Sequence, residues 1–302
     1  MNPRDILLAL LPPLFWGIGF TFAKPAVAHF PPIFMMSLVY LATAAFMYRP
    51  TIRLQTPWWA LFGIAALGLS VQNAFIFTGL KGVPAATASL VVQSQVPFAV
   101  VAAAIIGKEA LNYLRVVGIA VSIGGLVLVA GAPEAAGDIG SLLLIVAGAA
   151  LWAIAQVLIR VFGRDDGRRI AGAICLWAAP QTFLLSLPFE AGQWQSLTSA
   201  HVDDWMALGI LALCGYILAY TVWYRLLQRH RIDQITPFVL LMPIVSVFLS
   251  WLLLGEQVSW PTLVGGAIVL IGVAIVVRAP SDRAAAAVLD GGSRPVPLSS
   301  KD

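Results

Sequence analysis

Charge is the scarcest property of this 302-residue chain, since only 11% of its residues are Asp, Glu, Lys or Arg, against roughly 25% in ordinary soluble domains. A soluble fold of this length exposes a large surface, and 18 basic with 14 acidic side chains do not cover it. That excludes a soluble globular enzyme and a disordered protein. Nucleic acid is excluded as a partner too, because the formal charge of +4 comes from basic residues spread over short connections between apolar runs. Cysteine is nearly absent. Cys175 and Cys214 each sit inside an apolar run, which gives neither a disulfide framework nor a metal site. There is no Gly-x4-Gly-Lys-Ser/Thr loop, no His-Glu-x-x-His and no Gly-x-Ser-x-Gly. ATP hydrolysis and two common hydrolase chemistries therefore have no signature here, and no cofactor is implied.

What the chain has is apolar length, with 60% hydrophobic residues and a mean hydropathy of +0.90. A bilayer core takes about 20 helical residues. Apolar runs of that size fall at 6–24, 32–48, 58–80, 84–106, 114–132, 139–160, 170–189, 204–225, 234–254 and 261–278. The period-two alternation of a membrane barrel is missing, so the spans are helices. The expected fold is an all-α polytopic membrane protein with ten transmembrane helices and a disordered Ala/Gly/Ser/Pro tail over 279–302.

Orientation follows from Lys and Arg. With the N-terminus inside, 16 of the 18 basic residues fall in cytoplasmic segments, and only Lys24 and Lys81 fall outside with Glu134, Asp138, Glu190, Asp203, Asp204 and Glu256. Both termini are then cytoplasmic, in the inner membrane of a bacterium. Ala26-Val27-Ala28 looks like a signal-peptidase site. The run before it is too long, and Lys24-Pro25 interrupts the approach, so cleavage is not expected.

The chain also echoes itself. Glu109, Gly118 and Gly125 map onto Glu256, Gly265 and Gly272 at one offset of 147 residues, and Pro97 and Pro243 match within one residue. Trp16 precedes Lys24 by eight residues, and Trp152 precedes Arg160 by eight. Five helices is an odd number, so the second half enters the membrane from the opposite side. Inverted repeats of this kind give two nearly equivalent packings, one open to each side. The expected units are five-helix repeats over 1–132 and 133–278.

Trp16-Gly17 with Lys24, and the Pro…Gly-x-Glu…Gly…Gly ending of each half, resemble the drug/metabolite transporter superfamily, in particular its ten-helix branch with two EamA-type domains. That branch includes bacterial exporters of amino acids, aromatic ones among them, and of other metabolites. The resemblance covers residues 6–278. Ala153 departs from the pattern where a glycine follows the tryptophan, and Gly255-Glu256 lacks the spacer present in Gly107-Lys108-Glu109. The resemblance implies alternating access and a cavity between helices of both halves.

All 14 carboxylates fall in connections, at span ends or in the tail, and His29, His201 and His230 lie near span ends. A buried proton-coupling carboxylate is thus missing from mid-membrane, which fits a facilitative carrier. The groups at depth are uncharged: Gln72 and Asn73 in the third span, Gln93 and Gln95 in the fourth, Gln156 in the sixth and Gln181 in the seventh. Side chains four apart share a helix face, so Trp16 pairs with Phe20, Trp152 with Gln156, Trp177 with Gln181, and Tyr216 with Tyr220. Buried amides face either a neighbouring helix or a watery cavity. Trp16, Phe20, Gln72, Asn73, Gln93, Gln95, Trp152, Gln156, Tyr216 and Tyr220 are the candidate solute-binding residues. Amides with aromatic walls suit a neutral or zwitterionic solute, and suit a phosphate or sugar-nucleotide less well, since no Arg or Lys lies at mid-depth.

Lys24 is either an interface anchor or a partner for a solute carboxylate. Pro97 and Pro243 are candidate hinges. Gly118 with Gly125, and Gly265 with Gly272, mark smooth faces for close packing, within the chain or between copies. Trp58, Trp59, Trp194, Trp205 and Trp260 belong to the interfacial belts, while Trp16, Trp152, Trp177 and Trp251 are deeper. The function expected is a secondary transporter exporting small metabolites, above all amino acids, with the lipid bilayer and a small solute as its partners. A sugar-nucleotide or phosphate-ester exchanger and a non-transporting membrane scaffold are the alternatives. A scaffold needs a partner-binding domain, and no connection exceeds about 15 residues.

Overall fold

The computed structural model describes residues 3–49, 53–106, 112–132, 138–227 and 236–279. Gly107-Lys108-Glu109, Glu134, His230 and the tail from 280 onward lie outside the described residues. Among the described residues each of the ten apolar runs is helical, and there is no β-strand. In chain order the helices of these ten runs are α1 (Pro3–His29), α2 (Pro32–Met47), α3 (Trp58–Gly82), α4 (Ala85–Ile106) and α5 (Tyr113–Ala130). They continue with α6 (Ile139–Phe162), α7 (Gly167–Phe189), α8 (Val202–Trp223, running on to Leu227), α9 (Phe238–Leu254) and α10 (Trp260–Arg278). Eight of them are long and apolar enough to cross a bilayer by length and composition, while α2 and α9 are shorter apolar helices. A polytopic membrane protein is the architecture.

Local sequence sets where the helices begin. Pro31, Pro57 and Pro84 precede α2, α3 and α4, with a fixed φ suited to the approach and no N–H to leave unpaired. Asn112, Asp138 and Asp166 each accept a backbone N–H three residues on, the usual N-cap bond, at the starts of α5, α6 and α7. Gly255 ends α9 at a left-handed φ of 65°, and that reversal turns Glu256 back toward the bundle.

Three helices depart from regular geometry in mid-course. The third, α3, is π-helical over Ala66–Val71, and α8 is π-helical over Leu211–Leu218. The 147-residue offset of the glycines carries 66–71 onto 213–218, inside the second segment. In α4 the turn at Gln93 and Ser94 tightens, with Gln93 N–H to Leu90 O at 3.2 Å, Ser94 N–H to Val91 O at 3.0 Å and Val96 N–H to Gln93 O at 3.1 Å. Pro97 is the cause. It has no N–H for the Gln93 carbonyl, which takes the bond one residue earlier. Ahead of Pro243, a 3₁₀ turn over Thr236–Leu240 likewise leads into α9. Gln93 sits at φ −64°, ψ −14° and Leu240 at φ −60°, ψ −16°.

The glycine faces meet inside one chain, α5 against α10. A methyl built on Gly125 would stand 2.6 Å from the Gly265 carbonyl oxygen, and one on Gly265 would stand 2.8 Å from that of Gly125. The second pair behaves alike, with Gly118 and Gly272 at 2.8 and 2.6 Å from each other's carbonyl oxygens. Elsewhere α1 packs on α8, where Gly19 faces Gly215, and α3 packs on α6, where Gly68 faces Ala155. Likewise α2 packs on α7 and α4 on α9, while α1 also meets α9 and α4 meets α6. The outward faces carry Leu7, Leu41, Ile123, Val127, Leu143, Leu184 and Ile271, an apolar exterior suited to lipid.

Candidate functional site

Around Tyr40, which touches the π-helical turns of both α3 and α8, phenol and amide groups collect between aromatic walls. Tyr40 of α2 is fully buried; its hydroxyl donates to the Leu69 carbonyl at 3.2 Å and accepts from the Asn73 side-chain amide. Its ring lies edge-on to Tyr216, with centroids 5.7 Å apart. From there the rings run on as Tyr216 to Tyr220 at 5.9 Å, Tyr220 to Trp16 at 5.9 Å and Trp16 to Trp223 at 5.4 Å. Phe20 faces Phe77 at 6.2 Å. The arrangement joins α1, α2, α3 and α8 through uncharged groups alone.

The tight turn of α4 presents Gln93, which follows Val91 and Val92 of the same buried core as Phe20, Tyr40 and Tyr216. Its side chain is wholly buried, and both its amide oxygen and its amide nitrogen lack a hydrogen-bond partner. Ser94 Oγ and Gln72 Oε1 are buried and without a partner as well. An unmade hydrogen bond on a buried amide costs about 1–3 kcal/mol, more where no water reaches it. A group retained at that cost is suited to receive a polar solute or water.

Not every expected residue joins this centre. Trp16, Phe20, Asn73, Tyr216 and Tyr220 do. Gln72 is buried beside Asn73 on α3, and Gln95 is half-buried just past the α4 break. On α6, Trp152 is half-buried and Gln156 is exposed; among the described residues no ring contact or hydrogen bond joins them to the cluster. Gln181 accepts from the Ser70 hydroxyl at 3.1 Å and donates to the Phe62 carbonyl at 3.2 Å, and Trp177 stacks edge-on against Phe62. That pair therefore ties α7 to α3. Trp251 is 60% exposed beside Phe248 and does not join the centre. Sequence reasoning missed Tyr40, Phe77 and Trp223. The signal for Tyr40 was a lone phenol in the middle of the second apolar run, where a buried hydroxyl needs a partner.

The ends of the bundle carry the charges. Lys24 Nζ donates to the carbonyls of Leu80 (2.7 Å), Lys81 (3.1 Å) and Val83 (2.7 Å), so it caps the end of α3 and does not reach the centre. At the same end, Glu256 accepts from the N–H groups of Ala85 (2.8 Å) and Ala86 (3.1 Å), which start α4. Glu190 does the same for α2, at Ile33 (2.8 Å) and Phe34 (2.9 Å). A carboxylate on two free N–H groups is favoured by the helix dipole. Asp138, which starts α6 here, is held below the usual carboxylate range by the hydroxyl and the N–H of Ser141. At the opposite end Asp165 accepts from the Thr56 hydroxyl (2.7 Å) and the N–H groups of Thr56 (2.8 Å) and Gln55. Burial pushes this carboxyl up, yet those hydrogen bonds and Arg169 together hold it below the usual range. Two clefts of about 460 Å³ open at the ends, one beside Thr56, Trp58 and Trp177, the other beside His29, Lys81 and Glu190. Neither is lined by the central residues. Among the described residues no group of three His, Cys, Asp or Glu could hold a metal ion.

The model of the EamA-like transporter family matches residues 4–131 and again 139–278. The chain is 30% identical over 291 residues to the "Probable amino-acid metabolite efflux pump" of Salmonella typhimurium, covering 91% of this chain and 95% of that protein. It is 27% identical over 288 residues to the protein of the same name in Escherichia coli, again over 91% and 95%. A protein known from its crystal structure superposes with a TM-score of 0.64 at 22% identity, over 91% of this chain and 98% of that one, a likeness of fold.

Proposed function

The chain belongs to the EamA-like transporter family, and from that premise we propose that it exports small neutral or zwitterionic metabolites, above all amino acids, from a bacterial cytoplasm by alternating access. The observation that carries this reading is the buried, partnerless amide of Gln93, next to Val91 and Val92, which share one buried core with Phe20, Tyr40 and Tyr216. An uncharged centre of phenol, amide and aromatic groups offers hydrogen bonds to an ammonium or carboxylate group and apolar walls to a side chain, with no fixed charge to demand one on the solute. The names of the relatives, amino-acid metabolite efflux pumps, point the same way. Asn73, Gln72, Gln93, Tyr216, Tyr220, Trp16 and Phe20 are the solute-binding set on this reading, with Gln95, Trp152 and Gln156 at its margin.

All ten helices span the membrane in the proposed architecture, as two inverted repeats over 1–132 and 133–278 with both termini in the cytoplasm. Several observations support the inversion. The glycine contacts of α5 and α10 are reciprocal, Gly118 with Gly272 and Gly125 with Gly265. The π-helical turns occur at matched places, and so do the tight turns ahead of Pro97 and Pro243. The packing of α1 on α8 is mirrored by α6 on α3, and that of α1 on α9 by α6 on α4. Pro97 and Pro243 are the proposed hinges, because each follows a turn already displaced from the α-helical hydrogen-bond pattern.

Uptake of a panel of labelled amino acids into proteoliposomes, with and without an imposed pH gradient, tests this function. Saturable uptake indifferent to the gradient is expected, since among the described residues no carboxylate joins the centre. Uptake of none of the panel overturns the amino-acid reading. Lys24→Met is expected to lower thermal stability by about 1–3 kcal/mol, the range for losing charge-assisted bonds to carbonyls, while leaving KM within twofold. A tenfold rise in KM would instead put the ammonium on the solute.

A further inference from the structure

The reach of Tyr40 is unusual for a helix α2 residue. Its hydroxyl donates to the carbonyl of Leu69, which lies within the π-helical turn of α3 and also accepts from the Gln72 N–H. The same oxygen receives the amide of Asn73, just beyond that turn. On its other side the ring abuts Tyr216, which lies within the π-helical turn of α8. One fully buried side chain thus holds both wide turns together.

Wide turns are costly to keep. A π-helical turn accommodates one residue more than an α-helical turn, and its carbonyls leave the i to i+4 pattern. Expelling that extra residue would rotate everything downstream by about 100°, the angle of one residue in an α-helix. Gln72 and Asn73, the first residues past the turn of α3, would leave the centre. The Tyr40 hydroxyl opposes this by binding a carbonyl inside the turn and a side chain immediately after it.

We infer that Tyr40 is the positioning residue of the solute site: it fixes the π-helical turn of α3 against that of α8 and so sets where the Asn73 amide is presented. The inference rests on the central-site reading above. Tyr40 acts through Asn73, so its effect disappears when Asn73 is already gone.

A double-mutant cycle on tritiated L-phenylalanine uptake in proteoliposomes tests this, using Tyr40→Phe, Asn73→Ala and the pair. Tyr40→Phe keeps the ring and is expected to fold with a modestly lowered thermal midpoint, since it leaves the buried Asn73 amide without this partner. Each single variant should raise KM at least tenfold with the maximal rate within twofold, and the pair should be no more than threefold worse than Asn73→Ala alone. If Asn73→Ala raises KM while Tyr40→Phe does not, the positioning role is wrong and the central site stands. Multiplying effects in the pair would mean that Tyr40 acts independently of Asn73, which also overturns it. If neither variant moves KM, or the unaltered protein shows no saturable uptake, the central-site reading fails and the inference fails with it.

Discussion

Leucine at position 125 is expected to abolish the folded bundle, while leucine at position 124 is expected to leave it intact. The two glycines are adjacent in α5 but face about 100° apart around the helix. A Cβ on Gly125 would stand 2.6 Å from the Gly265 carbonyl oxygen and 2.6 Å from the Val269 nitrogen, whereas a Cβ on Gly124 has nothing within 4 Å. The atoms in the way at 125 are backbone, which cannot swing aside as a side-chain end can. Inserting one methylene into a packed contact costs about 1–3 kcal/mol, and leucine adds four carbons where the first already collides. The monodisperse fraction in mild detergent should fall more than tenfold for Gly125→Leu and stay within twofold for Gly124→Leu. Equal behaviour of the two would mean that α5 and α10 do not meet through this seam.

The second large effect is a separation of stability from transport. Gln93→Leu should unfold at the same temperature as the unaltered protein or higher, and should transport at least tenfold more slowly. The amide at 93 is wholly buried with neither polar atom satisfied. Replacing it with an apolar group of similar volume removes a penalty of about 1–3 kcal/mol. The same change deletes the hydrogen-bonding group proposed to receive the solute. Function bought with an unsatisfied buried group is a familiar trade-off at binding sites. A variant that is less stable and still fully active would show that the amide supports the fold through an unrecognised partner.

Helix extents were legible because apolar runs are punctuated by strong local signals. Pro31 and Pro32 set the start of α2, Pro57 that of α3 and Pro84 that of α4, so those starts lie within a residue of the sequence reading. The glycine faces were legible as faces. Their partner was not, since spacing says that a helix is smooth and not what it meets. The π-helical turns left no trace in Ala66–Val71, an apolar stretch that would sit equally well in an α-helix. They arise from the fit between helices. The same limit governs the site: Trp16, Asn73, Tyr216 and Tyr220 converge, while Gln156 and Trp251 are exposed and do not join them. Depth along a span is readable from sequence, but the direction a side chain faces is set by tertiary packing. Lys24 shows this most plainly, since three carbonyls of the α3 terminus occupy a group whose position alone suited a solute just as well.

Central to this account is one uncharged site, reached in turn from each side of the membrane. The most direct test places a thiol there, as Gln93→Cys in a protein whose own Cys175 and Cys214 are replaced by alanine. Its reaction with a membrane-impermeant thiosulfonate is then measured in right-side-out and inside-out vesicles. The account predicts labelling from both sides, slowed in each case by saturating L-phenylalanine. Labelling from neither side, or a rate indifferent to the solute, would contradict it.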